Sequence, residues 1–213
     1  MAKFPIYLEL SNRRAVVIGG GAVAARKVRA LHESGARVIV IAEHVNSALE
    51  EAFQLPNVEL VLAAYHKNYL AGATLAIAAT NDTILNRQVF HDCQELEVLC
   101  NVVDQPELCD FYTPAIVKRG DLQIAIGTDG HCPAYSGHLR RKLEESFTDD
   151  HGRFLELLEQ TRKRVLGDIT DANQRKSVMG RLASDESFHV FQQEGDNVWN
   201  DYANDIILQD NTA

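Results

Sequence analysis

Short apolar runs alternate with longer amphipathic stretches over the first hundred residues. Residues 15–18, 38–41, 58–62, 75–79 and 98–102 are rich in valine, isoleucine, leucine and alanine. Apolar runs without in–out alternation predict strands covered on both faces. Between them, 23–33, 46–54 and 81–94 read as helices. In the first, Val28 and Leu31 share a side beside Arg26, Lys27 and Arg29, and Gly35 provides the stop. Asn46 or Ser47 is expected to cap the second. Strand and helix in strict alternation predict parallel strands joined by right-handed crossovers, hence a doubly wound α/β sheet.

The pattern changes after Phe111. Residues 113–118 and 122–126 read as two strands joined by the turn Arg119-Gly120-Asp121. A stretch of loop formers, 127–133, leads into a helix over 135–146. Two further helices are expected at 153–166 and 171–182, and the polar end, 201–213, is expected to be frayed. There is no internal repeat and no low-complexity segment.

Composition narrows the class. Apolar residues make up 46% and charged residues 24% of the 213, as in a folded soluble chain. No apolar run approaches the roughly 20 residues of a membrane-spanning helix. Residues 1–10 lack the basic, apolar and cleavage regions of a secretory signal, so a cytoplasmic location and no membrane partner are expected. The net charge is −9, with 14 basic and 17 acidic residues up to Phe147 and 7 and 13 beyond it. That balance argues against nucleic acid as a partner and leaves room for a local anion pocket in the front part. Cys93, Cys100, Cys109 and Cys132 contain no CxxC pair, so a structural zinc site is not expected.

Chemistry enters at Gly19-Gly20-Gly21-Ala22-Val23-Ala24, which follows the first strand and opens the first helix. Gly19, Gly21 and Ala24 satisfy G-x-G-x-x-G/A. The glycines allow a tight turn and close approach to a pyrophosphate, and the small Ala24 lets helix and strand pack closely. Backbone N–H groups of Ala22, Val23 and Ala24 would bind phosphate at the positive end of the helix dipole. The same loop could be a ligand-free turn. Glu43, near the end of the second strand, is the candidate acid for ribose hydroxyls, favouring NAD over NADP, though Ala42 makes the register one residue loose. Thr80, Asn81 and Asp82 follow the fourth strand, where they could face the nicotinamide side, cap the next helix, or both. Asp104 follows the fifth strand and suits a general base near a hydride acceptor.

These segments resemble one family. Gly19 to Lys27 reads GGGxVAxRK, and Ala78-Ala79-Thr80-Asn81-Asp82 follows. Then come Asn101-Val102-Val103-Asp104, Leu108-Cys109-Asp110-Phe111, Pro114-Ala115-Ile116, Arg119-Gly120-Asp121-Leu122 and Ile124-Ala125-Ile126. Their order is similar to that in precorrin-2 dehydrogenases, the dehydrogenase/ferrochelatase part of siroheme synthase. The resemblance covers roughly residues 1–143 and only loosely the rest. It implies a Rossmann-like NAD-binding domain over 1–112, a small α+β dimerisation domain over 113–147, and a helical C-terminal domain over 148–213. It implies oxidation of precorrin-2 to sirohydrochlorin with NAD by a homodimer, and in some members insertion of ferrous iron as a second substrate. The aspartate of the NVVD motif, the family's proposed acid/base, matches Asp104. A substrate with many carboxylates needs donors around its rim. Asn101, Lys118, Arg119, Thr128 and Arg140 are the candidates, with Arg140 the first choice among the cations.

The chain departs from the family after Ile126. It reads Gly127-Thr128-Asp129-Gly130-His131-Cys132-Pro133, where relatives often carry Ser-Thr-Gly-Gly, a basic residue and Ser-Pro. Asp129 could repel an acidic tetrapyrrole or approach a metal. His131, Cys132 and His138 could be soft ligands or ordinary loop residues, and no resident metal is assigned to them. The residues after Phe147 are too few for the methyltransferase domain of fused relatives, so methylation is expected from another protein. Two other readings are a non-catalytic dinucleotide sensor, which would not require the NVVD segment, and a chelatase or tetrapyrrole carrier without hydride transfer.

Overall fold

A computed structural model describes residues 3–211. The chain folds as two compact units, Met1–Thr113 and Pro114–Ala213.

The first unit is the expected doubly wound sheet. Five parallel strands, β1 (Arg14–Ile18), β2 (Arg37–Ala42), β3 (Val58–Leu62), β4 (Leu75–Ala78) and β5 (Leu99–Val102), lie in the order β3-β2-β1-β4-β5. Three helices, α1 (Ala22–Glu33), α2 (Ser47–Ala52) and α3 (Thr83–Glu95), connect them, with a short 3₁₀ turn at Lys67–Leu70. Successive residues of a strand point to opposite faces. Ala15 and Val17 therefore join Val38, Val40, Val28 and Leu49 in one core, while Val16 and Ile18 join Ile41, Val89, Cys93 and Cys100 in another. Both faces of the sheet are buried, which is why the runs in β1 and β4 show no polar alternation. Asn46 caps α2, its side chain accepting from the Leu49 N–H at 3.1 Å. β2 extends one residue further than its apolar run suggests, so Glu43 directly follows the strand.

The order reverses between β1 and β4, where one crossover leads through α1 and the other through α3. Loops at the carboxyl ends of such a pair diverge and leave a crevice, the usual ligand site of open α/β sheets.

The second unit opens with an antiparallel hairpin, β6 (Ala115–Arg119) and β7 (Leu122–Ile126). Four helices follow: α4 (Pro133–Ser146), α5 (Asp149–Asp168), α6 (Ala172–Leu182) and α7 (Asp185–Asn211). The α5 helix seats Gly152 against the hairpin turn; a Cβ there would stand 2.7 Å from the Arg119 carbonyl oxygen. A third core gathers Phe154, Val165, Val178, Leu182, Phe191 and Trp199. The Trp199 indole N–H is fully buried and donates to Ser187 Oγ at 2.8 Å, which removes the penalty of an orphaned donor.

The expectation of a frayed tail from residue 201 is corrected by α7. Ala203, Ile206 and Ile207 are buried in the third core and helix continues to Asn211. Residues 212 and 213, the end of that expected tail, lie outside the described residues. Trp199, Ala203, Ile206 and Ile207 stand at i, i+4, i+7 and i+8, one helical stripe. Acidic neighbours hid that stripe, as did Gly195, where the helix breaks with φ +81° and ψ −177°. No helix of the described residues is long and apolar enough to cross a membrane.

Candidate dinucleotide site and its neighbouring carboxylate

The glycine loop is built by close backbone approach. Gly19 has φ +133°, and a Cβ on it would lie 2.3 Å from the Ala79 carbonyl oxygen at the end of β4. A Cβ on Gly20 would lie 1.7 Å from the His44 carbonyl oxygen. The loop after β2 is stitched to the glycines: Gly19 N–H donates to Ile41 O and Asn46 N–H donates to Gly20 O, both at 2.9 Å. Glu43 is thereby held one residue from the glycine loop's neighbour, exposed and at the strand end where a ribose-binding acid belongs.

Gly21 differs from the other two. A Cβ there meets no described atom within 4 Å. It is the N-cap of α1, with no side-chain cap among the described residues and no acid in the first turn. Ala22 is exposed, Val23 half-buried and Ala24 fully buried. The result is an open cradle lined by backbone N–H groups at a positive helix end, suited to a pyrophosphate. Ala24 plays the part expected of the third small residue, burying helix against strand.

The β4 loop is organised by a buried asparagine. Asn86, 2% exposed, donates from Nδ2 to Thr80 O at 3.0 Å and accepts from Thr80 Oγ1 at 2.7 Å. Asp82 caps α3, accepting from Ile84 N–H at 2.8 Å and Leu85 N–H at 3.0 Å. The helix-cap reading therefore holds for Asp82. Thr80 and Asp82 shape the turn, while Asn81 stands exposed just beyond the end of β4. Asn86 was not singled out from the sequence; its only signal is a polar residue inside an apolar helical stripe.

Beyond β5 the chain makes a compact loop closed by a bridge between Asn101 and Cys109. Cys100 N–H donates to Asp110 Oδ2 and Asp110 N–H to Cys100 O, each at 2.8 Å. The Cys109 thiol is tucked against Val102 and Gln105 carbonyl oxygens at 3.2 and 3.3 Å. Burial pushes that thiol above its ordinary range, so it is a packing group in this setting. The loop leaves Asp104 exposed at its tip with φ +61°, a left-handed conformation that aspartate tolerates better than most residues. Asn101 is 7% exposed, and its amide donates to Phe111 O at 2.9 Å and faces Cys109 Sγ at 3.4 Å. Its amide donor therefore holds the loop.

Lys27 joins this group from α1. Its Nζ donates to Thr113 Oγ1 at 2.6 Å, and the Asp104 carboxylate lies close enough to favour its charge. Burial nonetheless holds the ammonium below the ordinary lysine range, and Arg26 adds to that effect. Sequence reading passed over Lys27, although it closes the GGGxVAxRK stretch.

The remaining rim candidates lie in the second unit. Lys118 is exposed. Arg119 is committed to structure: Nε donates to Phe147 O at 2.7 Å, Nη2 to Glu144 O at 3.0 Å, and Asp149 lies 3.5 Å away. Its donors fasten the hairpin to the helices, which leaves little for a ligand. Arg140 pairs with Glu144 one turn along α4. Thr128 Oγ1 lies 3.1 Å from Ser136 Oγ and accepts from Cys132 N–H at 3.3 Å, bracing the loop before α4. Among the described residues no three His, Cys, Asp or Glu side chains gather as a metal site.

Comparison with known proteins agrees with this geometry. The family described as "Putative NAD(P)-binding" matches residues 6–115. A siroheme synthase of Photorhabdus laumondii is 36% identical over 177 residues, which span 83% of this chain and 38% of that protein. One from Psychrobacter sp. is 34% identical over 176 residues, 83% of this chain and 36% of that protein. Siroheme synthase 2 of Yersinia pestis is 40% identical over 144 residues, 68% of this chain and 30% of that protein. The chain thus spans about a third of the length of these relatives. The solved structure titled "SirC, precorrin-2 dehydrogenase" superposes with a TM-score of 0.78 at 19% identity, covering 99% of this chain and all of that one, a likeness of fold. The chain therefore belongs to this NAD(P)-binding family, and the siroheme synthases are its relatives.

Proposed function

We propose that this chain is an NAD-dependent dehydrogenase that oxidises precorrin-2 to sirohydrochlorin in siroheme synthesis. One observation carries the reading: the open cradle at Gly21 and the exposed Asp104 stand at the same edge of one sheet, two strands apart. Neighbouring strands are spaced by about 4.8 Å, so the two loops begin about 10 Å apart. That is a span a bound dinucleotide and a large ring can fill together. The names of the siroheme synthase relatives and of the precorrin-2 dehydrogenase with this fold supply the substrate.

The residues of the chain divide the work. N–H groups of Ala22, Val23 and Ala24 hold the pyrophosphate, and Glu43 accepts ribose hydroxyls, which selects NAD over its 2′-phosphorylated form. NAD supplies the hydride acceptor when bound. Oxidation also releases a proton from the substrate, and the Asp104 carboxylate takes it. Asn81 borders the nicotinamide side of the crevice. Residues 113–147 serve as the dimerisation segment and 148–213 as the helical domain, and Lys118 and Arg140 remain the cation candidates for substrate carboxylates. The setting is the cytoplasm.

Asp104→Asn tests the role of the carboxylate, because it keeps the shape and removes the base. Turnover should fall by about a hundredfold or more while NAD affinity stays within twofold. Full turnover in that variant would remove Asp104 from the chemistry.

A further inference from the structure

We infer that Lys27 receives a carboxylate of the substrate beside Asp104. This rests on the dehydrogenase reading above and extends it to a residue of the dinucleotide-binding unit itself.

Lys27 is an unbalanced cation. It sits on α1 and its side chain runs beneath the loop after β5, where it is half-buried. An ammonium has three N–H donors. Among the described residues Lys27 has one hydrogen-bond partner, the neutral hydroxyl of Thr113, and no carboxylate within ion-pair distance. The groups that face it are Arg26 on its own helix, and Asp104, Cys109 and Thr113 from the loop. Its charge is disfavoured there by burial first and by Arg26 second, so the attraction of Asp104 does not compensate for lost hydration. The bond to Thr113 is exposed, so the spare donors of this partly desolvated ammonium stand where an anionic group can reach them.

The substrate class fits that need. A polycarboxylate approaching Asp104 meets like charge. An ammonium between the two screens that repulsion and fixes one carboxylate while Asp104 takes the proton. The other anion in the site is the dinucleotide pyrophosphate, but Lys27 lies in the second turn of α1, past the first-turn N–H groups of the cradle.

The test measures KM separately for the two reactants in Lys27→Met and Lys27→Arg. A charge-assisted hydrogen bond corresponds to a change of about ten- to a hundredfold. Lys27→Met should raise KM for precorrin-2 by that factor, leave KM for NAD within twofold, and be largely rescued by Lys27→Arg. Retained NAD affinity also reports that the unit is folded. A rise in KM for NAD would assign Lys27 to the pyrophosphate and overturn the inference. So would a fall in kcat alone, which would make Lys27 a positioning residue, or no change in either KM. Sirohydrochlorin binding without NAD, followed by its absorbance, is the second arm. If wild-type protein made no NADH, the dehydrogenase reading would fail by itself; a weaker grip of Lys27→Met on sirohydrochlorin would still support the carboxylate site, and equal binding would overturn it.

Discussion

Three consecutive glycines do three different jobs. Gly19 lets β1 approach the end of β4 with a positive φ, and Gly20 lets the loop after β2 lie on the backbone. Neither position has room for a Cβ, so Gly19→Ala and Gly20→Ala must displace backbone, a change that costs about 1–3 kcal/mol or more. Gly21 has an ordinary φ of −94° and empty space before it. Gly21→Ala should leave the melting temperature within a degree or two yet weaken NAD binding at least about tenfold, because the methyl occupies space meant for a ligand. Calorimetric melting and NAD titration of the three variants separate the roles. An equal loss of stability in all three would mean that Gly21 is structural too.

A second prediction at this scale follows from Tyr65. Its hydroxyl donates to Asp92 Oδ2 at 2.9 Å, and burial, then that bond, raises the phenol above its ordinary value of about 10. A group whose value is raised on folding contributes stability that is whole below its unfolded value and is lost as pH rises beyond it. Tyr65→Phe should therefore cost about 1 kcal/mol at neutral pH, since the ring is only half-buried, and should flatten the loss of stability above about pH 10. Urea melts across pH 7–11 would show it. Parallel curves for the two proteins would exclude the coupling.

At the scale of elements, the front sheet was legible and the end of the chain was not. Strands 14–18 and 58–62 can be read almost to the residue because their apolar runs stand between clear turn formers. The tail has no such boundaries. Its stripe of Trp199, Ala203, Ile206 and Ile207 is correct for a helix, but Asp201, Asn204 and Asp205 share the window, and the preceding Gly195 looks like an end rather than a break. Tertiary burial, not local propensity, makes this segment helical. Ile206→Ala should then destabilise the second unit by about 2–5 kcal/mol. A change under about 0.5 kcal/mol would return the tail to the surface.

The site was legible in the same uneven way. Gly19, Gly21, Ala24, Glu43 and Asp104 could be found because each stands at a strand end fixed by hydrophobic pattern. Arg119 could not be excluded from the rim beforehand, because only the folded chain shows its donors spent on the carbonyls of Phe147 and Glu144. The roles of Asn86 and Lys27 were hidden for the complementary reason. Their importance lies in partners six and 86 residues away in sequence, Thr80 and Thr113, which no local pattern relates.

At the scale of the whole molecule, the acid excess is shared by both units. Met1–Thr113, with the cradle and Asp104, holds 9 basic and 13 acidic residues, and Pro114–Ala213 holds 12 and 17. On the proposed reading, a polycarboxylate substrate is held by a few placed donors against that acidic background, and its binding should weaken with added salt. The central claim is that one sheet edge brings NAD, Asp104 and precorrin-2 together. An anaerobic reaction of the wild-type chain with enzymatically generated precorrin-2 and NAD tests it most directly, with NADH and sirohydrochlorin followed in the same cuvette. The two products should appear together, one for one, at a rate set by the protein concentration. Sirohydrochlorin forming no faster than in the protein-free control, with no NADH from NAD and no NADPH from NADP, would contradict the claim.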